Sequence, residues 1–308
     1  MELRQLKQLL TLSETLNFRR AAEQLHIAQP PLSTSIKKLE DELGVLLFER
    51  LPSGLKITPA GEVVLHYARR TLFYADEIRR AAREGDSGEQ GQLRVGFVGS
   101  AAYGLLPRIV HSYRKRYPLV DLRLEESTTI ELLRRLDEHS LDIALVRFPV
   151  LESSTASVTL LQRERMMLAV PRESPLAARS AVALEELAGE PFIVYSRSHA
   201  PAMHALVLSA FQLAGIQPRI VQEAVQVQTM LGLVEGGLGL ALVPESVEKY
   251  AGQGVRLVPL AGVSDSLLVG TALAVLPDAV TATARHFIEH VHLAVEPRQV
   301  PAARGNTL

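Results

Sequence analysis

The chain has 308 residues, 47% of them hydrophobic, and a formal net charge of -1, which suits two or three folded units but supplies no global positive field to draw it onto nucleic acid. Cysteine is absent, so disulfides and thiolate chemistry are excluded. No signal-peptide pattern opens the chain and no run of 18 apolar residues interrupts it, so a cytoplasmic protein without a membrane partner is expected.

Leu3 to Leu16 reads as a first helix, with Leu6, Leu9, Leu10, Leu12 and Leu16 on its buried side. Asn17 to Gly44 then reads as two short helices around a corner. Asn17 is the expected N-cap of the first, and Ala21, Ala22 and Leu25 form its apolar stripe. Pro30 and Pro31 open the second, whose Leu32, Ile36, Leu39 and Leu43 share one face before Gly44 ends it. Ser33, Thr34, Lys37 and Lys38 lie on the other face, a pattern that fits a DNA-reading helix-turn-helix as well as an ordinary helical hairpin. Phe48 to Thr58 forms a two-stranded wing turning at Pro52-Ser53-Gly54, which places Arg50 and Lys56 within reach of phosphates.

Thr58 and Pro59 open a long helix reaching about Glu84, with Val63, Val64, Tyr67, Ala68, Thr71, Leu72, Ala75, Ile78 and Ala82 as apolar positions. The sixty residues before it are too few to cover such a helix, which argues for a partner chain and a two-fold arrangement on a pseudo-palindromic duplex site. Residues 1–91 carry thirteen basic and thirteen acidic side chains, so DNA affinity must come from a local cluster of Arg19, Arg20, Lys37, Lys38, Arg50 and Lys56.

Residues 85–92 are glycine-rich and polar, the composition of a hinge. Beyond them short apolar strands alternate with helices. Strands are expected at Leu93–Val98, Leu119–Glu125, Leu141–Val146, Arg165–Val170, Phe192–Tyr195, Arg219–Glu223, Gly239–Val243, Val255–Pro259 and Leu267–Val275. Helices are expected at Leu105–Tyr117, at Leu132–Leu136 behind a Thr128 or Thr129 cap, at Met203–Ala214, at Val227–Glu235 and at Val280–Val295. The pattern predicts mostly parallel sheets in two lobes around a ligand crevice, and a disordered tail at 297–308.

The wording AAEQLHIAQPPLS, I-x-x-LE-x-x-LG-x-x-LFER and ITPAG, in that order over about 60 residues, resembles the amino terminus of LysR-type transcriptional regulators. That resemblance implies a multidomain α+β chain. A winged helix-turn-helix occupies 1–58, a linker and dimerisation helix 59–84 and a hinge 85–92. A two-lobed effector domain similar to periplasmic binding proteins follows, with lobe one at 93–161 and 266–296 and lobe two at 162–265. It further implies a homotetramer and a contact with RNA polymerase. Gln29, Pro31, Ser33 and Thr34 become the base-edge candidates, with Arg20, Lys37, Arg50 and Lys56 on phosphate. Ala28, Thr34 and Ser53 stand where many members carry serine, arginine and a basic residue.

Residues VGFVGSAAYGLLPRIV and VQTMLGLVEGGLGLALVPES resemble the branch of the family that answers to aromatic or muconate-like carboxylates. In that branch a serine after the first strand, a threonine after the second and amides around the 196–203 turn hold effector carboxylates. Ser100, Thr128 and Ser198 to Met203 occupy those places. Ala101, Thr129, Arg147, Phe148, Ser198, His199 and Met203 complete the candidate set around a small carboxylate effector. From chemistry alone, Ser100 and Thr128 are helix caps or ligand donors, Arg147 an inter-lobe ion pair or an anion anchor, and Phe148 a stacking ring or core filler.

An enzyme or a small-molecule carrier built on the lobes is the alternative. Against it, nine histidines show no H-E-x-x-H or metal-ligand spacing, and Gly96–Gly99 and Gly236–Gly239 match neither a dinucleotide nor a P-loop fingerprint. Ser198-His199 is not a triad signal. No catalytic residue, metal or cofactor is expected.

Overall fold

Asn17 accepts hydrogen bonds from the amides of Arg19 and Arg20 at 3.0 and 3.1 Å, which starts the second of three helices in the N-terminal unit. These are α1 (Leu3–Thr15), α2 (Phe18–Gln24) and α3 (Gln29–Leu43), followed by a hairpin of β1 (Phe48–Leu51) and β2 (Gly54–Ile57) and by α4 (Pro59–Glu84). The structure is a computed structural model and describes residues 1–52, 54–84, 87–262 and 267–295, with backbone alone at Glu77 and 80–84. Ser53 in the wing turn, residues 85–86 of the expected hinge and the tail 297–308 lie outside the described residues. Contacts divide the chain into two units, Met1–Asp86 and Ser87–Leu308.

In the first unit Leu6, Leu9 and Leu12 of α1 pack with Leu32, Ile36 and Leu39 of α3, Ala21 and Ala22 of α2, and Leu65 and Ala68 of α4. Leu43, expected on the buried face of α3, is 38% exposed, because Gly44 turns the chain away there with φ +71°. The inward stripe of α4 runs through Gly61, Leu65, Ala68 and Leu72. Val63, Tyr67 and Ile78, among the apolar positions expected to need a partner chain, are exposed together with Tyr74, because the helix core needs only one stripe of α4. Thr58 caps this helix by accepting the Gly61 amide at 2.9 Å.

The second unit carries β3 (Gln90–Phe97), α5 (Leu105–Arg116), β4 (Leu119–Glu126), α6 (Thr129–Asp137), β5 (Ile143–Phe148) and β6 (Ser157–Pro171). Beyond them come β7 (Val182–Ala183), β8 (Pro191–Tyr195), α7 (Pro201–Leu213), β9 (Arg219–Ala224), α8 (Val227–Glu235) and β10 (Leu240–Pro244). The last elements are β11 (Val255–Ala261), β12 (Leu268–Val275) and α9 (Ala282–Ala294). β3 starts three residues earlier than its apolar run, because Gln90, Gly91 and Gln92 pair in parallel with Leu119, Val120 and Asp121.

The strand order is β4-β3-β5-β12-β6-β10-β8-β9, with β11 on the far side of β6. One half is β4-β3-β5-β12 plus residues 157–165 of β6, and the other is residues 166–171 of β6 with β10, β8, β9 and β11. β6 therefore belongs to both lobes and is much longer than the Arg165–Val170 strand expected. It also runs antiparallel to β10, β11 and β12, so each lobe is a mixed sheet and not a mostly parallel one. Each lobe has its own core, one around Tyr113, Leu132, Ile143 and Phe287, the other around Phe192, Phe211, Met230 and Leu242.

Candidate functional site

The first unit presents its polar residues around α3 and the wing. Gln29, Pro31, Thr34, Lys37 and Lys38 are exposed and Ser33 is half-buried, as a face free to read a groove requires. Ala28, the N-cap of α3, makes no side-chain cap bond. Arg50 lies over the Phe18 ring with 5.2 Å from guanidinium carbon to centroid, so α2 steers the wing's cation. Lys56 faces Glu49 across the hairpin, which reduces its net field, while Arg20 is exposed. Arg19 is paired with Glu23 at 3.1 Å. Glu40, at the end of α3, accepts the amides of Leu47 and Phe48 and so anchors the wing.

The second unit holds a pocket of about 60 Å³ between its two lobes. Its wall is built from helix starts. Thr128 is the N-cap of α6, Ala200 that of α7 and Gln226 that of α8, and first-turn residues of all three helices, Thr129, Ala202 with Met203, and Val227, line the cavity. First-turn amides have no intrahelical acceptor, and each helix contributes about half a positive charge at this end, so three converging N-termini favour an anion.

Arg147 and Tyr195 add two buried polar groups. Arg147 Nη1 donates to Glu164 Oε1 at 2.5 Å and to the Gly270 carbonyl at 3.3 Å, while Nη2 has no partner. The Tyr195 hydroxyl, at the end of β8, is also buried without a partner. Burial pushes the Tyr195 hydroxyl well above the ordinary tyrosine range, opposed by Arg147 and reinforced by Glu164. A buried donor without an acceptor costs roughly 1–3 kcal/mol, and a bound carboxylate would relieve it. The Arg147 question left open by the sequence thus has a two-part answer: one nitrogen is in an ion pair and the other faces no protein acceptor.

Of the residues expected from sequence, Ser100, Thr128, Thr129, Arg147, His199 and Met203 line the pocket. Thr128 Oγ1 also caps the Glu131 amide at 3.4 Å, and Thr129 Oγ1 accepts the Arg147 amide at 3.2 Å. Three expected residues do not line it. Ala101 is buried in the core of lobe one, and Phe148, alternating with Arg147 along β5, is 36% exposed. The Ser198 hydroxyl is turned to His199 Nδ1 at 2.9 Å. Tyr195, Gln226 and Glu152 line the pocket without having been expected there. The signal for Gln226 was legible as the residue before the Val227 helix, whereas Tyr195 reads as the end of a core strand.

Among the described residues no cluster of potential metal ligands occurs, and no helix is long and apolar enough to cross a membrane.

Comparison with known proteins accounts for both units. Residues 3–62 match the family described as bacterial regulatory helix-turn-helix protein, lysR family, and residues 86–295 match the LysR substrate binding domain. The transcriptional regulator BenM of Acinetobacter baylyi is 37% identical over 262 residues, covering 84% of this chain and 86% of that protein. The regulator AlsR of Bacillus subtilis is 36% identical over 249 residues, 81% and 82% of the two chains. Full-length CbnR in complex with its target DNA superposes with a TM-score of 0.70 at 27% identity, over 96% of this chain and 100% of that one. The chain belongs to the LysR family of DNA-binding transcriptional regulators, with an effector-binding domain behind its helix-turn-helix.

Proposed function

We propose that this regulator is switched by a small carboxylate, an aromatic or dicarboxylic acid, bound between the lobes of its second unit. The observation that carries this reading is the convergence of three helix N-termini on a cavity also lined by Arg147 and Tyr195, whose Nη2 and hydroxyl are buried without a protein partner. Ser100, Thr128, Thr129 and His199 supply further hydrogen bonds, and Met203 an apolar wall. The likeness of the Val95–Val110 and Val227–Ser246 segments to the aromatic- and muconate-responsive branch supports the same class.

Binding closes or re-angles the lobes and passes to DNA through the assembly. Lobe one runs on to residue 165, where β6 changes lobes, and the other domain limits are those set by the sequence, with 59–84 as the dimerising helix. Val63, Tyr67, Tyr74 and Ile78 give α4 an outward apolar stripe at spacings of four and seven, suited to a second copy of the same helix. Two such dimers form a tetramer that holds a pseudo-palindromic site and contacts RNA polymerase. Gln29, Pro31, Ser33 and Thr34 meet base edges, and Arg20, Lys37, Arg50 and Lys56 meet phosphates.

The test is calorimetric titration of the full chain with benzoate, salicylate and muconate. Ser100→Ala and Thr128→Ala should each weaken a bound carboxylate while DNA affinity is retained. Unchanged effector affinity in both variants would remove the pocket assignment.

A further inference from the structure

The pocket that we read as the carboxylate site also contains an acid. Glu152, on the segment between β5 and β6, lines the cavity and is only partly buried, which places it toward the mouth, while Arg147 and Tyr195 are buried. Its Oε2 accepts the neighbouring Leu151 amide at 3.0 Å, and among the described residues no cation is paired with it. Arg147 does not offset it, since that charge is matched by Glu164 at 2.5 Å.

The charge balance then limits the guest. The three helix starts together supply about one and a half positive charges. Glu152 offsets one of these, which leaves about half a positive charge for a guest. One carboxylate on the guest is matched by the helix starts and the two unpartnered donors. A second carboxylate would face Glu152 with nothing to compensate it. At an effective dielectric of about 20, two like charges roughly 8 Å apart repel by enough to change affinity about tenfold or more.

We propose that Glu152 restricts the pocket to monoanions. The ligand carries a single carboxylate toward Arg147 and Tyr195, and a hydroxyl or amino group that donates to Glu152 near the mouth. Dicarboxylates bind about tenfold more weakly. This rests on the carboxylate reading above and selects within it.

Matched pairs test it on the full chain at fixed ionic strength. Sorbate and trans,trans-muconate share a carbon skeleton but differ by one charge, and 4-hydroxybenzoate and terephthalate differ at one ring position. The monoanion of each pair should bind about tenfold more tightly. Glu152→Gln should raise the affinity of the dianions about tenfold and change that of sorbate less than threefold, and Glu152→Lys should reverse the preference. Equal binding of the two members of each pair, or a dianion-to-monoanion ratio unmoved by both variants, overturns the monoanion rule alone. Failure of all four acids to bind the wild type and both variants overturns the carboxylate reading with it.

Discussion

Arg147 and Glu164 meet at 2.5 Å with side chains only 8% and 7% exposed, one from the end of β5 and the other from the strand that joins the lobes. Glu164 also accepts the Ser246 amide at 3.0 Å, so it bonds to the chain just after β10 of lobe two. The pair thus fixes the floor of the pocket to both halves of the unit.

Breaking the pair leaves one charge buried and unmatched. Arg147→Met should cost about 3–5 kcal/mol, whereas Arg147→Met with Glu164→Leu should recover most of it. Urea titration followed by far-ultraviolet circular dichroism measures both. A single variant as stable as the wild type would mean that the pair contributes nothing to the fold.

Tyr195→Phe removes a buried hydroxyl that has no partner. Stability should be unchanged or rise by about 1 kcal/mol, while benzoate affinity falls roughly fivefold through the loss of one hydrogen bond. A fall in stability without a fall in affinity would place the hydroxyl outside the ligand's reach.

The hydrogen bond from Arg134 holds the Glu131 carboxyl below its ordinary value of 4.5. Arg134 Nε donates at 2.8 Å, and Glu131 lies in the first turn of α6, where the helix dipole favours it. A carboxylate with a depressed folded-state value stabilises above about pH 4.5 and loses that contribution as pH falls through the folded value. The pair is well exposed, so Glu131→Gln should cost less than about 1 kcal/mol at pH 7. The gap should close as pH falls through the lowered folded-state value and shrink in 1 M salt, which thermal melts across pH can follow.

Arg50 is steered by Phe18. Phe18→Leu should weaken DNA binding about two- to fivefold by freeing the guanidinium. Arg50→Ala should weaken it further and lower the slope of log affinity against log salt by about one. Fluorescence anisotropy over a salt series separates the two effects. An unchanged slope in Arg50→Ala would take that residue off the phosphates.

The helix-turn-helix was legible because local signals agree there. Asn17, the Pro30-Pro31 opening, Gly44 and Thr58 all mark helix ends through contacts within four residues. The pocket was legible where it uses helix starts, as at Thr128 and Met203. It was obscured where it depends on distant partners. Residues 157–165 of β6 contain Gln162, Arg163, Glu164 and Arg165, which do not read as a buried strand. Glu164 can be buried only because Arg147, 17 residues earlier, lies beside it. No periodicity carries that information. Tyr195 was hidden for the opposite reason, since a tyrosine ending an apolar strand resembles core filling. Val63 and Tyr67 were legible as apolar positions of α4, but which of its apolar faces packs on the unit's own core was not, because α4 is apolar on more than one face.

β12, the strand between β5 and β6, comes from residues 268–275, close to the end of the chain. During synthesis the DNA-binding unit is complete once residue 86 has emerged, and β5, ending at Phe148, has no neighbour on that side until roughly 130 residues after it. At ordinary translation speeds the delay is on the order of six to twenty-five seconds. A nascent chain therefore spends that interval able to grip DNA but with the apolar edge of lobe one open to aggregation or to a chaperone. A stop codon between Phe148 and Leu268 would release a DNA-binding unit joined to a receptor without its inner strand.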